Sequence, residues 1–273
     1  MMASNNSSLM AAPAAFDLIA EQYDAIFTHT TIGKTQRHVM WDALTRAFSR
    51  GDSVLELNCG TGEDAFYLAG RGITVTACDA SSAMIEVARR RRSGEAVNAK
   101  VDFRILANED LHQLRGEQVF DGAFSNFSGL NCTEDMNEVA VNLSRLLRPG
   151  ARLLICLSTR ACFWEILWYL GRANFAKAFR RVRGMTVARV EGFPVPVWYP
   201  AFRQIRRTFR PWFRVQSIRA VGLAVPPSYV EPWAHRHQGW ITALAKVDRV
   251  LCRLPVLRGI GDHVLWEFER IPS

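Results

Sequence analysis

The sequence predicts an α/β fold: a doubly wound, seven-stranded, mostly parallel sheet with inserted cap helices. Three observations carry this. Short apolar runs alternate with helix-length amphipathic segments between residues 53 and 158, the first of those runs ends in a glycine turn, and the two halves of the 273-residue chain carry opposite charge.

SVLELN (53–58) reads as the first strand and is followed by a helix from about Glu63 to Gly70. TVTACD (74–79) is the second strand, and SSAMIEVARRRR (81–92) a second helix opened by a serine cap. VDFRIL (101–106) and FDGAFSNF (120–127) are the third and fourth strands. NEVAVNLSRLL (137–147) is an amphipathic helix ended by Pro149-Gly150, and ARLLICLS (151–158) is the fifth strand. Strands joined by helices of this length lie parallel and bind ligands at their carboxyl ends. RVQSIRAVG (214–222) and HVLWEFER (263–270) supply the sixth and seventh strands. Residues 1–15 are expected to be disordered and 16–273 to form one domain. Within it, 16–44 is a cover, 45–158 a cofactor-binding core, 159–200 a cap insertion, and 201–273 the last strands with a second insertion at 223–262. That second insertion carries a helix over 239–253. In the cap a helix spans 163–184, PVPVWYP (194–200) is a return strand, and FRQIRRTFRPWF (202–213) is a further helix.

Hydrophobic residues make up 49% of the chain, enough for a large core. The N-terminus lacks the basic and continuous apolar regions of a secretion signal, and no run approaches the roughly 18 apolar residues of a spanning helix. The six cysteines form no CxxC pair, which favours reduced thiols and a cytoplasmic protein without a metal. His235 and His237 share a face only on a strand and have no carboxylate pattern beside them, so they too argue for no metal. Residues 1–150 carry 14 Lys and Arg against 19 Asp and Glu, whereas residues 151–273 carry 20 against 7. Seven of the eight tryptophans also lie in the basic half, so the halves are expected to do different jobs.

The first strand ends in VLELNCGTGEDAFYLA. Gly60, Gly62 and Ala65 fit GxGxxA, with Asp79 nineteen residues after Gly60, a spacing that suits a dinucleotide or another nucleoside. The charges separate the two. Glu56 on the strand and Glu63-Asp64 at the helix start would face a diphosphate with carboxylates at the amides meant to receive it. A phosphate-free, cationic nucleoside fits better, and S-adenosylmethionine offers a sulfonium and an ammonium toward Glu56 and a ribose toward Asp79. A nicotinamide-dependent oxidoreductase remains the alternative among nucleotide users.

At these residues the chain resembles the class I S-adenosylmethionine-dependent methyltransferases, in particular the small-molecule, ubiquinone-biosynthesis-like branch. The resemblance covers about 16–158 and implies a Rossmann-like methyltransferase fold. The family's acidic-x-Gly-x-Gly-x-Gly loop matches from Glu56 through Cys59 and Gly60 to Gly62, except that Asn58 replaces the first glycine. The family's ribose acid corresponds to Asp79, followed by Ala80 and the SSAM stretch ending at Met84. Its adenine-binding Asp falls on Ala107 in LANEDL, leaving the Ala107 backbone and the Asn108 side chain for that contact. The positions beside the methionine moiety correspond to Asn126 and Phe127 in SNFSGLN. AEQYDAIFTHTTIGKTQRHVMW (20–41) is similar to the branch's N-terminal cover. There Tyr23 is placed against the cofactor, Arg37 is a candidate clamp for its carboxylate, and His29 and His38 are candidate bases, each with a rival reading as a packing, capping or surface residue.

No Asn/Asp-Pro-Pro-aromatic tetrad follows the fourth strand, which disfavours methylation of planar amino groups and favours an O- or C-methyl acceptor. The acceptor is expected to be small and hydrophobic, selected by the basic half. In 163–184 Trp164, Leu167, Trp168, Phe175, Phe179 and Val182 recur at helical spacing among arginines. That pattern suits a lid, a foot peripheral to the inner membrane surface, or a helix whose stripe packs on the sheet. The basic tail raises an RNA methyltransferase as an alternative, yet no RNA-binding module is visible and nucleic acid is disfavoured. A non-catalytic cofactor-binding subunit is the third reading.

Overall fold

The computed structural model describes residues 10–94, 100–116 and 119–272. Among them seven strands form one sheet: β1 (Ser53–Leu57), β2 (Thr74–Asp79), β3 (Val101–Ile105), β4 (Phe120–Ser125), β5 (Leu147–Ser158), β8 (Phe213–Val221) and β9 (His263–Arg270). A separate antiparallel hairpin joins β6 (Met185–Val190) to β7 (Phe193–Trp198). The sheet order is β3-β2-β1-β4-β5-β9-β8; the first five strands are parallel, and β9 runs antiparallel to both of its neighbours. This is the mostly parallel, seven-stranded sheet that the sequence predicts.

The period-2 alternation of side chains sorts two cores. Leu55, Leu57, Leu153, Ile155, Trp266 and Phe268 face α5 (Met136–Leu146) and α8 (Phe202–Phe209). Val54, Val75, Phe124, Leu154 and Leu265 face α2 (Thr31–Ala47), α3 (Glu63–Ala69) and α4 (Ser82–Gly94). Fully burying one such side chain contributes roughly 1.5–3 kcal/mol, so the two layers hold the carboxyl ends of β1, β2 and β4 rigidly against one another.

Three expectations change. Of the stretch expected to be disordered, residues 1–9 lie outside the described residues, but Ala12–Asp17 forms a helix, α1. It is held by Asp17, whose carboxylate accepts from Ser81 Oγ (2.6 Å) and Ala83 N (3.0 Å) at the start of α4. The helix over 163–184 is broken: α6 spans Phe163–Leu170, α7 Phe175–Ala178, and a 3₁₀ turn Arg180–Arg183. Gly171 ends α6, Ala173 adopts φ +52°, and Asn174 restarts the chain by accepting from Lys177 N. The chain doubles back because Glu165, 1% exposed, takes both Arg180 (2.8 Å) and Arg181 (2.7 Å), whose Cα atoms a continuous helix would place about 22 Å away. Finally, the return strand is one arm of the β6–β7 hairpin and lies outside the main sheet.

The second insertion places α9 (Glu231–Arg236) and α10 (Gln238–Leu251) against α2. Glu231 caps that helix from a distance, accepting from Thr31 N and Ile32 N at 2.7 and 2.9 Å. No helix among the described residues is long and apolar enough to cross a membrane.

Candidate cofactor cavity

The carboxyl ends of β1, β2 and β4 open into a cavity of about 470 Å³. Its floor is the β1–α3 turn. Asn58 takes φ +56° there, a left-handed conformation that asparagine tolerates better than other side chains, so this residue can stand where the family pattern has glycine. Gly129 must be glycine, since a Cβ would sit 2.3 Å from that of Asn58. Gly62, at φ +81°, opens α3 under the ring of Phe103, 2.7 Å from where its own Cβ would be.

Asp79 ends β2 and is held by two amides: Gly60 N donates to one carboxylate oxygen at 2.8 Å and Ser81 N to the other at 2.9 Å. Burial nonetheless raises its pKa above the usual carboxylate range. Glu56 lies on β1 at 2% exposure, with one carboxylate oxygen lacking any hydrogen-bond partner. Burial, with Asp64 adding repulsion, pushes its pKa well above normal. It is not among the residues that line the cavity.

Asp64 anchors the opposite side. It is 3% exposed and accepts from Trp41 Nε1 (2.7 Å) and Asn126 Nδ2 (2.8 Å) while pairing with Arg37 at 2.7 Å. Arg37 reaches it from α2 and lies over the ring of Phe127, 4.8 Å from the centroid. The candidate carboxylate clamp thus holds a carboxylate of the protein through Nη1, and its buried Nε has no hydrogen-bond partner. Phe127 and Ser128 both have positive φ, +44° and +67°, so with Asn58 three of the five non-glycine residues in that conformation among the described residues lie at the cavity.

Of the residues singled out from sequence, Tyr23, Arg37, Asn58, Cys59, Gly60, Asp79, Ala80, Met84, Ala107, Asn108, Asn126 and Phe127 line this one cavity. Burial pushes the Tyr23 hydroxyl up to about 12, keeping it a proton donor. The Asn108 amide is spent on Thr133 Oγ1 at 2.8 Å. His29 and His38 line no part of the cavity; both are exposed, and His38 Nδ1 bonds Lys34 O. Neither is placed to act as a base, because successive turns of the cover point them at solvent.

Sequence reasoning missed the far wall. Ala188, Val190, Val195, Pro196, Val197 and Trp198 of the hairpin, with Pro13 and Phe16 of α1, complete the enclosure. The backbone N–H of Met10 donates to Pro194 O (2.9 Å), and Asn131 Nδ2 to Trp198 O (2.6 Å), tying cover, hairpin and β4 loop together. The alternating valines and prolines at 194–197 were the available signal. Among the described residues no group of three or more His, Cys, Asp or Glu is arranged to hold a metal.

Glu56→Gln should stabilise the ligand-free protein by about 1–2 kcal/mol and raise its melting temperature, because it removes a buried carboxyl that must either take up a proton or lie charged and unpaired. A carboxyl raised on folding contributes stability that is present below its unfolded pKa and lost as pH rises through the folded one. The gain should therefore be larger at pH 8 than at pH 5; calorimetry that finds it larger in acid contradicts the assignment.

Residues 54–150 match the family model described as a methyltransferase domain. The demethylmenaquinone methyltransferase of Thermobifida fusca is 33% identical over 147 residues, 52% of this chain and 59% of that protein. The one from Clavibacter sepedonicus is 34% identical over 146 residues, 52% of this chain and 56% of that one. The chain therefore spans under two thirds of the length of these relatives. A solved S-adenosylmethionine-dependent methyltransferase from Methanosarcina mazei shares 16% identity and the fold, with a TM-score of 0.57 over 85% of this chain and 98% of that one. The sheet order and these likenesses show a Rossmann-like methyltransferase fold, and residues 54–150, which hold the acidic glycine loop, match a methyltransferase domain. The family match falls on the half of the chain that builds the cavity floor.

Proposed function

We propose that the chain binds S-adenosylmethionine in this cavity and transfers its methyl group to a small, hydrophobic acceptor, at oxygen or carbon. The observation that carries the reading is the division of the cavity. Its floor gathers three carboxylates: Asp64 is paired with Arg37, the one cation among the described lining residues, Glu63 is paired with Arg91, and Asp79 is held by backbone amides alone. Such a floor repels phosphate and suits a cationic nucleoside, whereas the hairpin wall is apolar.

The bound cofactor supplies an electrophilic methyl on a sulfonium whose charge disappears on transfer. The chain's part is to orient and to keep dry. Asp79, fixed by two amides, is the ribose acceptor, and Asn126 and Phe127, fixed by Asp64 and Arg37, shape the methionine end. Tyr23 and the hairpin exclude water, and alignment of acceptor and methyl at about 3–3.5 Å supplies most of the catalysis. Calorimetry with S-adenosylhomocysteine should show one site and a raised melting temperature, with no heat from NAD. Labelled cofactor should pass its methyl to an apolar extract fraction. Binding without transfer to any fraction would instead support a non-catalytic subunit, and no binding would remove the proposal.

The acceptor's route is the exposed face of α6 and α7, peripheral to an anionic membrane. Phe163, Leu167, Trp168, Phe175 and Phe179 are each at least 36% exposed beside Arg172 and Lys177, which supports a foot over a stripe packed on the sheet. The intact protein should pellet with phosphatidylglycerol vesicles at low salt and less in Trp168→Ala/Phe175→Ala. Trp164 is unsuited to this test, since its indole donates to Leu223 O and Ala224 O. A protein that stays in the supernatant with every vesicle has no such foot.

A further inference from the structure

We infer that the cleft between the start of α8 and the 255–259 turn is a binding site for a phosphate or pyrophosphate group, separate from the cofactor cavity and independent of how that cavity is read. The cleft encloses about 480 Å³, and three of its lining residues are arginines: Arg160, Arg206 and Arg258. Pro200, Phe202, Pro255 and Val256 form the rest of its rim.

Each arginine is set in place by a contact that spares its terminal nitrogens. Arg160 donates through Nε to Tyr199 O at 2.7 Å, Arg258 through Nε to Pro255 O at 3.2 Å, and Arg206 lies 5.8 Å from the centroid of the buried Trp266 ring. None of the three has a carboxylate partner among the described residues. The sequence explains this, for it holds no acidic residue from Gly192 to Val230 or from Arg249 to Gly261. Four other arginines of the half behave differently: Arg180, Arg181, Arg214 and Arg219 are each paired with a glutamate.

Arg160 and Arg258 are half-buried. Holding partly desolvated guanidiniums around one cleft without an anion is unfavourable, and a dianion with several acceptor oxygens reverses the sign. Exposed Arg203, Arg207 and Arg210 continue along the same helix and line a neighbouring groove with Arg206, so the field that draws an anion in extends beyond the cleft. Two sources share this chemistry. Val256 is 86% and Leu254 46% exposed beside Arg253 and Arg258, an arrangement that seats a phospholipid headgroup; a soluble phosphorylated molecule would use the same guanidiniums.

Calorimetry with pyrophosphate tests the site on the full chain. Expected is one site whose affinity falls about tenfold or more in Arg206→Gln/Arg258→Gln, and in Arg258→Gln alone by a smaller factor. The charge-matched pair Arg203→Gln/Arg210→Gln should lose at most about threefold, through the long-range field alone. Vesicles of phosphatidylcholine with and without phosphatidylglycerol separate the sources. Pelleting that needs the anionic lipid, Arg206 and Arg258, and falls in Val256→Asp, assigns a headgroup; pyrophosphate binding without such pelleting assigns a soluble ligand. The inference is overturned if pyrophosphate does not bind and any pelleting with anionic vesicles is unchanged in Arg206→Gln/Arg258→Gln, or if both arginine pairs lose affinity equally, since diffuse charge or the α6–α7 face then explains the binding.

Discussion

Asp64→Ala will destabilise the folded protein by about 3–5 kcal/mol, the largest effect expected of any single substitution at the site. The carboxylate is 3% exposed and is the common acceptor for Arg37 on α2, Trp41 one turn further along that helix, and Asn126 at the end of β4. Its removal strands the guanidinium of Arg37, a residue 6% exposed, without an anion and leaves a half-buried indole N–H and a buried amide unpaired. Replacing both ends, in Arg37→Met/Asp64→Leu, should recover much of the loss, because two apolar groups of similar size leave no orphaned charge. Urea unfolding of the two single variants and the double gives the coupling directly. A single variant within about 1 kcal/mol of the parent would mean that the pair is held by something other than this carboxylate.

The sheet was legible in the sequence because each parallel strand is an apolar run bounded by turn residues and followed by a helix of ordinary length. Both features survive in any context that buries the strand on two faces. The glycine turn and Asp79 were legible for a related reason: a backbone that must bend sharply, and an acid at a fixed distance from it, leave a short-range signature. Glu63 and Asp64 were legible as charge and not as structure. The pairing of Asp64 with Arg37 spans 27 residues and depends on how α2 lies across α3, which no local pattern encodes. The candidate bases at His29 and His38 fall outside the cavity on the same point, since the direction of a side chain from the cover is a tertiary fact; Arg37, from the same cover, does line it.

The broken helix shows the opposite error. The aromatic spacing over 163–184 suits one long helix, and the residues that end it, Gly171 and the capping Asn174, were present in the sequence but outweighed by the periodicity. What decides the fold there is the buried Glu165 drawing Arg180 and Arg181 back upon it. Along the hairpin, alternating valines and prolines signalled a strand but not its partner, so the apolar wall of the cavity could only be found in three dimensions.

Asp79→Ala should weaken S-adenosylhomocysteine binding by about 1.5–3 kcal/mol, roughly tenfold to 150-fold, with a smaller change in stability. Two effects add. The ribose loses its charged acceptor, and the amides of Gly60 and Ser81 lose the carboxylate that aligns the β1–α3 turn with the start of α4. Asp79→Asn separates them: its single amide oxygen can keep one of the two backbone contacts but offers the ribose no negative charge, so it should fall between the parent and the alanine variant. With pH, the stability cost should move the other way from the affinity deficit. Burial holds the Asp79 carboxyl above its ordinary pKa, so in the ligand-free protein the group contributes stability below the unfolded pKa and loses it as pH rises through the folded one. Removing it therefore costs the empty protein less at pH 8 than at pH 5, while the affinity deficit is read at pH 8, where the carboxylate is most fully charged. An alanine variant that binds the nucleoside as tightly as the parent would move the ribose away from the end of β2, and with it the placement of the cofactor in this cavity.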